Sequence, residues 1–241
     1  DNDGPLPYGY VDDRDVLWSK IVWEFVDLNQ KINLPYYFPI DTTNMAITRR
    51  SLFDTLVKGI KQGKIDEVYS DSFFTTKITR EEMNTRLVSV REENGYTDTF
   101  TLQSRDVGAY MIKGMWYFDK RQGELKYRLL ALAPMGKDVQ TMGVQDVEDE
   151  NLYELFWVFF PSAREVLHHA KVFNPKNASQ PISFDHLLNA RRFSGTIVKE
   201  ENVYGNRAIA DYVRGNSLFQ LLEADKIKED IRNREMDMWN Y

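Results

Sequence analysis

VGAYMIKGMWYF (107–118) and LKYRLLALAPM (125–135) are two β-rich runs separated by DKRQGE, a six-residue connection containing glycine. Runs of this length joined by a short glycine-bearing turn predict an antiparallel hairpin. Gly114, inside the first run, marks a bulge or a close approach of another group to the backbone. Next comes GKDVQTMGVQDVEDEN (136–151), an acidic loop, and then LFWVFF (155–160), a short and wholly apolar strand. Pro161 fits the first turn of a helix continuing to about Lys171, because proline lacks an N–H that this position leaves unpaired anyway.

Outward from this sheet the period changes to that of helices. Residues 1–12, with Pro5 and Pro7, read as an extended entry arm, and residues 13–241 as a single globular domain. A helix is expected over about 13–28. At 100° per residue Leu17, Trp18, Ile21, Phe25 and Leu28 form its apolar stripe, while Trp23 falls almost opposite, among Ser19, Lys20 and Asp27. INLPYYFPI (32–40) is punctuated by prolines, which predicts an extended segment that is neither helical nor a central strand. A second helix is expected over 49–62, capped by Thr48 and ended by Gly63, with Leu52, Phe53, Leu56, Val57 and Ile60 on one face. Thr79 with Glu82 makes a capping-box pattern for a short third helix. Further helical segments are expected near 183–193 and 217–238, the latter broken near Ala224. The resulting class is α+β: a small, largely antiparallel sheet flanked by helices from both ends of the chain.

Composition narrows the function classes. The chain has 241 residues, a net charge of −6 and no cysteine, which removes disulfides, thiolate metal sites and thiol nucleophiles. No Lys/Arg cluster is dense enough to follow a phosphate backbone, so nucleic acid is not an expected partner. No run of ~18 apolar residues is present, so no membrane span is expected. The opening residues lack the basic and apolar regions of an export signal, which leaves a cytoplasmic protein or one whose signal has been removed. Charge is uneven: residues 1–41 hold eight acids against three bases, and residues 49–91 hold nine bases against six acids.

Catalytic patterns are absent: no GxSxG, Walker loop, GxGxxG or HExxH occurs. His168 and His169 are adjacent and diverge by ~100° on a helix, so they do not chelate one ion together. His186 stands apart from both. Asp146, Glu148, Asp149 and Glu150 lack the alternating ligands and central glycine of a calcium loop. Asn177–Ser179 matches a glycosylation acceptor pattern, and Glu200–Glu201 carries no acid/base spacing. No catalytic residue, metal ligand or cofactor is assigned.

Four blocks carry a resemblance: DVLWSKIVWEFVDLNQKINLPYYFP (15–39), RRSLFDTLVKGIKQGKI (49–65), IKGMWYFDKRQGELKYRLLALAP (112–134) and LFWVFFPSAREVLHHAKVFNPKNASQPISFDHLLNARRFSGTIVKEENVYGNRAIADY (155–212). In this order they resemble the GldN/PorN family of the type IX secretion and gliding machinery. The resemblance implies an exported periplasmic protein without catalytic role at the inner face of the outer membrane. It also implies assembly with a GldK/PorK-type outer-membrane lipoprotein into rings, contact with a GldM/PorM-type periplasmic domain, and members that continue past the position of Tyr241.

A ring subunit meets its neighbours through different patches, because head-to-tail contacts that close give rings. The candidate interface residues are Trp23, the Tyr36, Tyr37 and Phe38 segment, and Trp116 with Tyr117. Each of them equally suits a core. Two rival readings stand beside this one: an enzyme with an unrecognised carboxylate pair, and a soluble module with one large apolar cavity.

Overall fold

The 107–136 stretch folds as the expected hairpin. The computed structural model describes residues 3–8, 16–39, 50–93, 95–144, 149–172, 181–202 and 205–208. In chain order the strands are β1 (Val16–Asp27), β2 (Val68–Tyr69), β3 (Val88–Glu93), β4 (Tyr96–Thr101), β5 (Val107–Asp119), β6 (Glu124–Gly136), β7 (Tyr153–Glu154), β8 (Trp157–Phe159), β9 (Thr196–Asn202) and β10 (Gly205–Ala208). The α-helices are α1 (Leu52–Lys61), α2 (Arg80–Leu87), α3 (Phe160–His169) and α4 (Phe184–Asn189), and Lys31–Tyr36 forms a 3-10 helix. The class is α+β and the sheet pairing is mostly antiparallel.

The chain divides into two compact units. The first draws on Asp27–Met111 and Ala131–Ser194. Here β6 pairs with β8 at Ala131↔Phe159 and Leu132↔Val158, and β8 pairs with β2 at Val68↔Val158. β7 joins β6 at Met135↔Glu154, while β3 and β4 form a separate two-stranded ribbon. Helix α1 packs on α3, and α3 on α4. Leu56, Leu132, Phe156, Phe160 and Phe184 are fully buried. Inside this apolar layer Arg164 grips Asp185 with two hydrogen bonds, Nε at 2.8 Å and Nη2 at 3.0 Å. A buried ion pair survives only with such geometry, since each charge has lost its water.

The second unit draws on Leu6–Val26, Ile112–Leu130 and Gly195–Tyr241. Its strands run in the order β10, β9, β1, β5, β6. The β5–β6 turn closes on Asp119, whose carboxylate accepts from Arg121 N at 3.0 Å, Gln122 N at 3.2 Å and Lys126 Nζ at 3.2 Å. Gly114 is the close approach that the sequence announced. A Cβ there would overlap the hydroxyl end of the Tyr127 ring.

Two expectations are corrected. Residues 16–27 are strand, not helix. β1 lies between β9 and β5, and its consecutive residues Val22, Trp23 and Glu24 are all buried. A strand covered on both faces shows no clean alternation. A register irregularity between Trp23 and Glu24 breaks it further. Apolar residues then fall at helix-like spacing by coincidence. The density of β-branched and aromatic residues in VLWSKIVWEFVD was the better guide.

Residues 32–40 were expected to be extended, but Lys31–Tyr36 is a 3-10 helix with Pro35 inside it. Such a short helix needs few bonds, here Asn33 N to Gln30 O at 2.9 Å and Tyr37 N to Leu34 O at 3.0 Å. Asn33 fixes it further, donating to Asp27 O at 2.8 Å and Ser194 O at 2.9 Å and accepting from Ser194 N at 2.9 Å.

Other readings hold in position. α1 has the expected apolar face but starts at Leu52, with Ser51 rather than Thr48 as cap: Ser51 Oγ accepts from Asp54 N at 3.2 Å. The Thr79–Glu82 capping box is formed in both directions, at 3.2 Å and 2.8 Å. Pro161 sits in the first turn of α3. The expected helix at 217–238, Thr48, Asp146, Glu148 and Asn177–Ser179 lie outside the described residues.

Candidate interaction surface

The structure treats the six candidate aromatics unequally. In the second unit Trp23 is 3 % exposed on β1. Lys113 and Lys199 hold it, with Nζ 5.2 Å and 4.6 Å from the ring centre. That is a cation–π arrangement in which neighbouring strands each contribute an ammonium. Tyr117 is also buried, with the Arg128 guanidinium 5.8 Å from its ring. Trp116 is half-buried and leans on Tyr127, ring centres 5.0 Å apart.

In the first unit Tyr36 is buried, its hydroxyl donating to Arg192 O at 2.9 Å. Burial pushes that phenol well above its ordinary titration range, against the smaller opposing pull of Arg192. Tyr37 and Phe38 are half-buried and meet edge to face, ring centres 5.1 Å apart. Three of the six, Tyr37, Phe38 and Trp116, therefore retain surface with which to touch a partner.

Sequence reasoning missed two well-exposed apolar groups on the β3–β4 ribbon. Val90 on β3 is 60 % exposed and Tyr96 on β4 is 78 % exposed. The ribbon's outer edges pair with no other described strand. Its signal was present: Asn94-Gly95 lies between two short runs, and Asn-Gly is a strong hairpin turn. Gly95 has φ +81°, as such a turn requires.

A second missed group is Phe73, 45 % exposed on the loop after β2. The Asp71 carboxylate organises this loop, accepting from Phe73 N at 2.8 Å, Thr75 Oγ1 at 2.6 Å and Thr76 N at 3.2 Å. Partial burial pushes Asp71 up, but these hydrogen bonds outweigh it and hold the carboxyl below its ordinary value. Phe74 takes a left-handed φ of +59° and packs edge-on against Tyr69 and Phe159, both ring centres 5.2 Å away. Phe73 is thus presented by a rigid loop, at little entropic cost for a contact.

Concave sites are less suggestive of chemistry. A groove of about 510 Å³ between α1 and α3 has Glu165 as its one lining carboxylate, and a smaller one of about 230 Å³ has Asp66. A carboxylate-pair enzyme needs two acids converging in one cleft. Among the described residues no His, Asp and Glu group is placed to hold a metal. His168 Nε2 lies 2.9 Å from Asp3, while His169 Nε2 lies 3.5 Å from Glu165. The two rings thus face different partners. No helix among the described residues is long and apolar enough to cross a membrane.

A family model described as gliding motility associated protein GldN matches residues 11–240. No curated protein matches the chain.

Proposed function

Because the chain belongs to the GldN family of gliding-motility-associated proteins, we propose that it is a non-enzymatic structural subunit of a periplasmic type IX secretion ring. In this reading it assembles under the outer membrane with a GldK/PorK-type lipoprotein, meets its own neighbours laterally, and contacts a GldM/PorM-type periplasmic domain. The observation that carries the reading is the family match over residues 11–240. Exposed apolar groups on rigid supports agree with it, because buried aromatic anchors supply much of the energy of protein contacts.

The contact residues follow from exposure. Tyr37, Phe38 and Trp116 are the surface members of the original six. Trp23, Tyr36 and Tyr117 brace the strands and the 3-10 helix from inside. Val90, Tyr96 and Phe73 join the contact set.

The reading is tested by light scattering and cryo-electron microscopy. With its net charge of −6, the isolated chain resists casual self-association and is expected as a monomer or small oligomer. Mixing with the lipoprotein raises the mass to a large discrete assembly, because tethered neighbours make weak lateral contacts effectively intramolecular. Closed rings from the isolated chain would show that the lipoprotein scaffold is unnecessary. Absence of co-assembly would end the reading.

A further inference from the structure

The two edges of the β3–β4 ribbon are built differently. β3 carries Arg91, Glu92 and Glu93 in succession, charges of the kind that keep an open edge from pairing. β4 (YTDTFT) holds one charge, no lysine, no proline and no bulge, since its six pairs with β3 keep an unbroken register. All its residues but Phe100 are exposed, and it pairs on one side only among the described residues. Antiparallel pairs alternate between hydrogen-bonded and unbonded positions. Leu102 N donates to Leu87 O at 2.9 Å, which continues the register of Val88↔Thr101 and sets the phase. Tyr96, Asp98 and Phe100 therefore bond to β3. The N–H and C=O groups of Thr97, Thr99 and Thr101 point the other way, toward the open edge.

That edge is complementary to itself. Two β4 edges bond only in registers that set outward residues opposite one another. With Thr99 on a two-fold axis, Thr99 meets its own copy and Thr97 meets Thr101, so every outward residue joins a threonine pair, a favourable cross-strand contact. Asp98 then stands opposite Phe100 rather than opposite a second carboxylate. An axis at Asp98 would set two like charges face to face, which is unfavourable. Tyr96, 78 % exposed, comes diagonal to Phe100 of the second copy and on the same face, within reach of an aromatic side chain. The Phe100 ring rests on Gly143, next to Val144, which is 40 % exposed. A foreign strand would satisfy the backbone groups but gives no reason for a charge pattern that suits β4 itself. Four strands also make a stable sheet where a lone ribbon is marginal.

We propose that β4 is a two-fold interface, at which a second copy of this chain adds its own β4 antiparallel, Thr99 opposite Thr99, to make a four-stranded sheet. Six residues a side make a small and hence weak contact. A two-fold contact closes on itself and does not propagate a ring, so the inference stands apart from the assembly reading.

The test uses the full chain, which contains no cysteine of its own. Hydrogen-bonded partners lie about 5.5 Å apart at Cα, within disulfide reach. Thr99→Cys should therefore oxidise to a disulfide dimer at least about tenfold faster than Thr97→Cys or Thr101→Cys, whose equivalents lie about 13 Å apart along the strands. Thr97→Cys with Thr101→Cys should regain the fast rate. Adding Thr99→Pro to that pair removes only an outward N–H and should abolish the gain. If the proline opens the ribbon, the comparison of single and double cysteine variants decides alone. In the native chain, amide exchange at 97, 99 and 101 should slow as protein concentration rises, while 98 and 100 change less than about twofold. Equal rates for the three single variants overturn the proposal. So does a Thr99→Cys rate no faster than that of Lys61→Cys, at the exposed end of α1. Protection of 97, 99 and 101 that appears only with the lipoprotein present would assign the edge to a foreign strand and overturn it too. Co-assembly with the lipoprotein is scored separately, so a chain that co-assembles without the Thr99 crosslink rejects this interface and leaves the assembly reading standing.

Discussion

Two hairpins of this chain obey the same local rules and have opposite surroundings. β5 and β6 are 13-residue strands with further strands beyond them: β1 beside β5, and β7 and β8 beside β6. β3 and β4 are six-residue strands that pair only with each other among the described residues. A lone two-stranded ribbon is marginal in water, so β3–β4 depends on its base. Leu102 N donates to Leu87 O at 2.9 Å, Ser89 Oγ donates to Gln140 Oε1 at 3.2 Å, and Arg91 donates to Gln140 O. The long hairpin is held by buried residues along β5 and the second half of β6. The short one is held at one end, and its other end displays Tyr96.

The contrast is tested most severely at Leu132, fully buried on β6. Leu132→Ala should cost about 2–5 kcal/mol, the transfer term plus a cavity. A denaturant melt measures it, and a loss under about 1 kcal/mol would mean that the β6 core is loosely packed.

Gly114→Ala is the next largest effect. The new methyl overlaps the hydroxyl end of the Tyr127 ring, so overpacking should cost about 1–3 kcal/mol. Adding Tyr127→Ala should make the glycine substitution nearly neutral. Additive losses in that double-mutant cycle would place the strain elsewhere.

Gln140→Ala acts on the short hairpin and on α2, which leads into it, because Gln140 Nε2 also donates to Thr85 O at 3.3 Å. It removes the side-chain acceptor for Ser89 and should cost about 1 kcal/mol. Hydrogen exchange should quicken across 88–101 and stay unchanged in β5 and β6. Uniform quickening would show that the ribbon opens only with the whole fold.

These differences explain how much was legible in the sequence. The β5–β6 pair, the Pro161 helix start and the Thr79–Glu82 box are set by neighbouring residues, and each is found where it was expected. Of LFWVFF, expected as strand over 155–160, only Trp157–Phe159 is strand, because Phe160 already opens α3. β1 is set by distant strands on both sides, so its pattern lost the period of two. β3 reads backwards: Ser89 is buried against Gln140 while Val90 faces water. Apolar patterning therefore points to the wrong face, although Asn94-Gly95 marks the turn. The six aromatics show the same limit. Nothing local to Trp23 indicates that Lys113 and Lys199, distant in sequence, close over it.

The smallest expected effect lies where the short hairpin begins, at the start of α2. Glu82 accepts a hydrogen bond from Thr79 N, and this bond, helped by the Thr79 side chain, holds its carboxyl below the ordinary value of 4.5. A depressed folded value means that protonation is easier in the unfolded chain. The stabilisation is therefore fully present above the ordinary value and fades as pH falls through the folded one. Glu82→Gln keeps an acceptor for Thr79 N but does not titrate. At neutral pH, amide exchange in α2 should be slower in the native chain than in Glu82→Gln. As the pH falls through the depressed folded value the two should converge. Because α2 runs directly into β3, the same convergence should reach Val88 and Ser89 but not β5. Parallel profiles at every pH would show that the cap contributes nothing pH-dependent. A change that extends into β5 would show that the short hairpin is coupled to the long one.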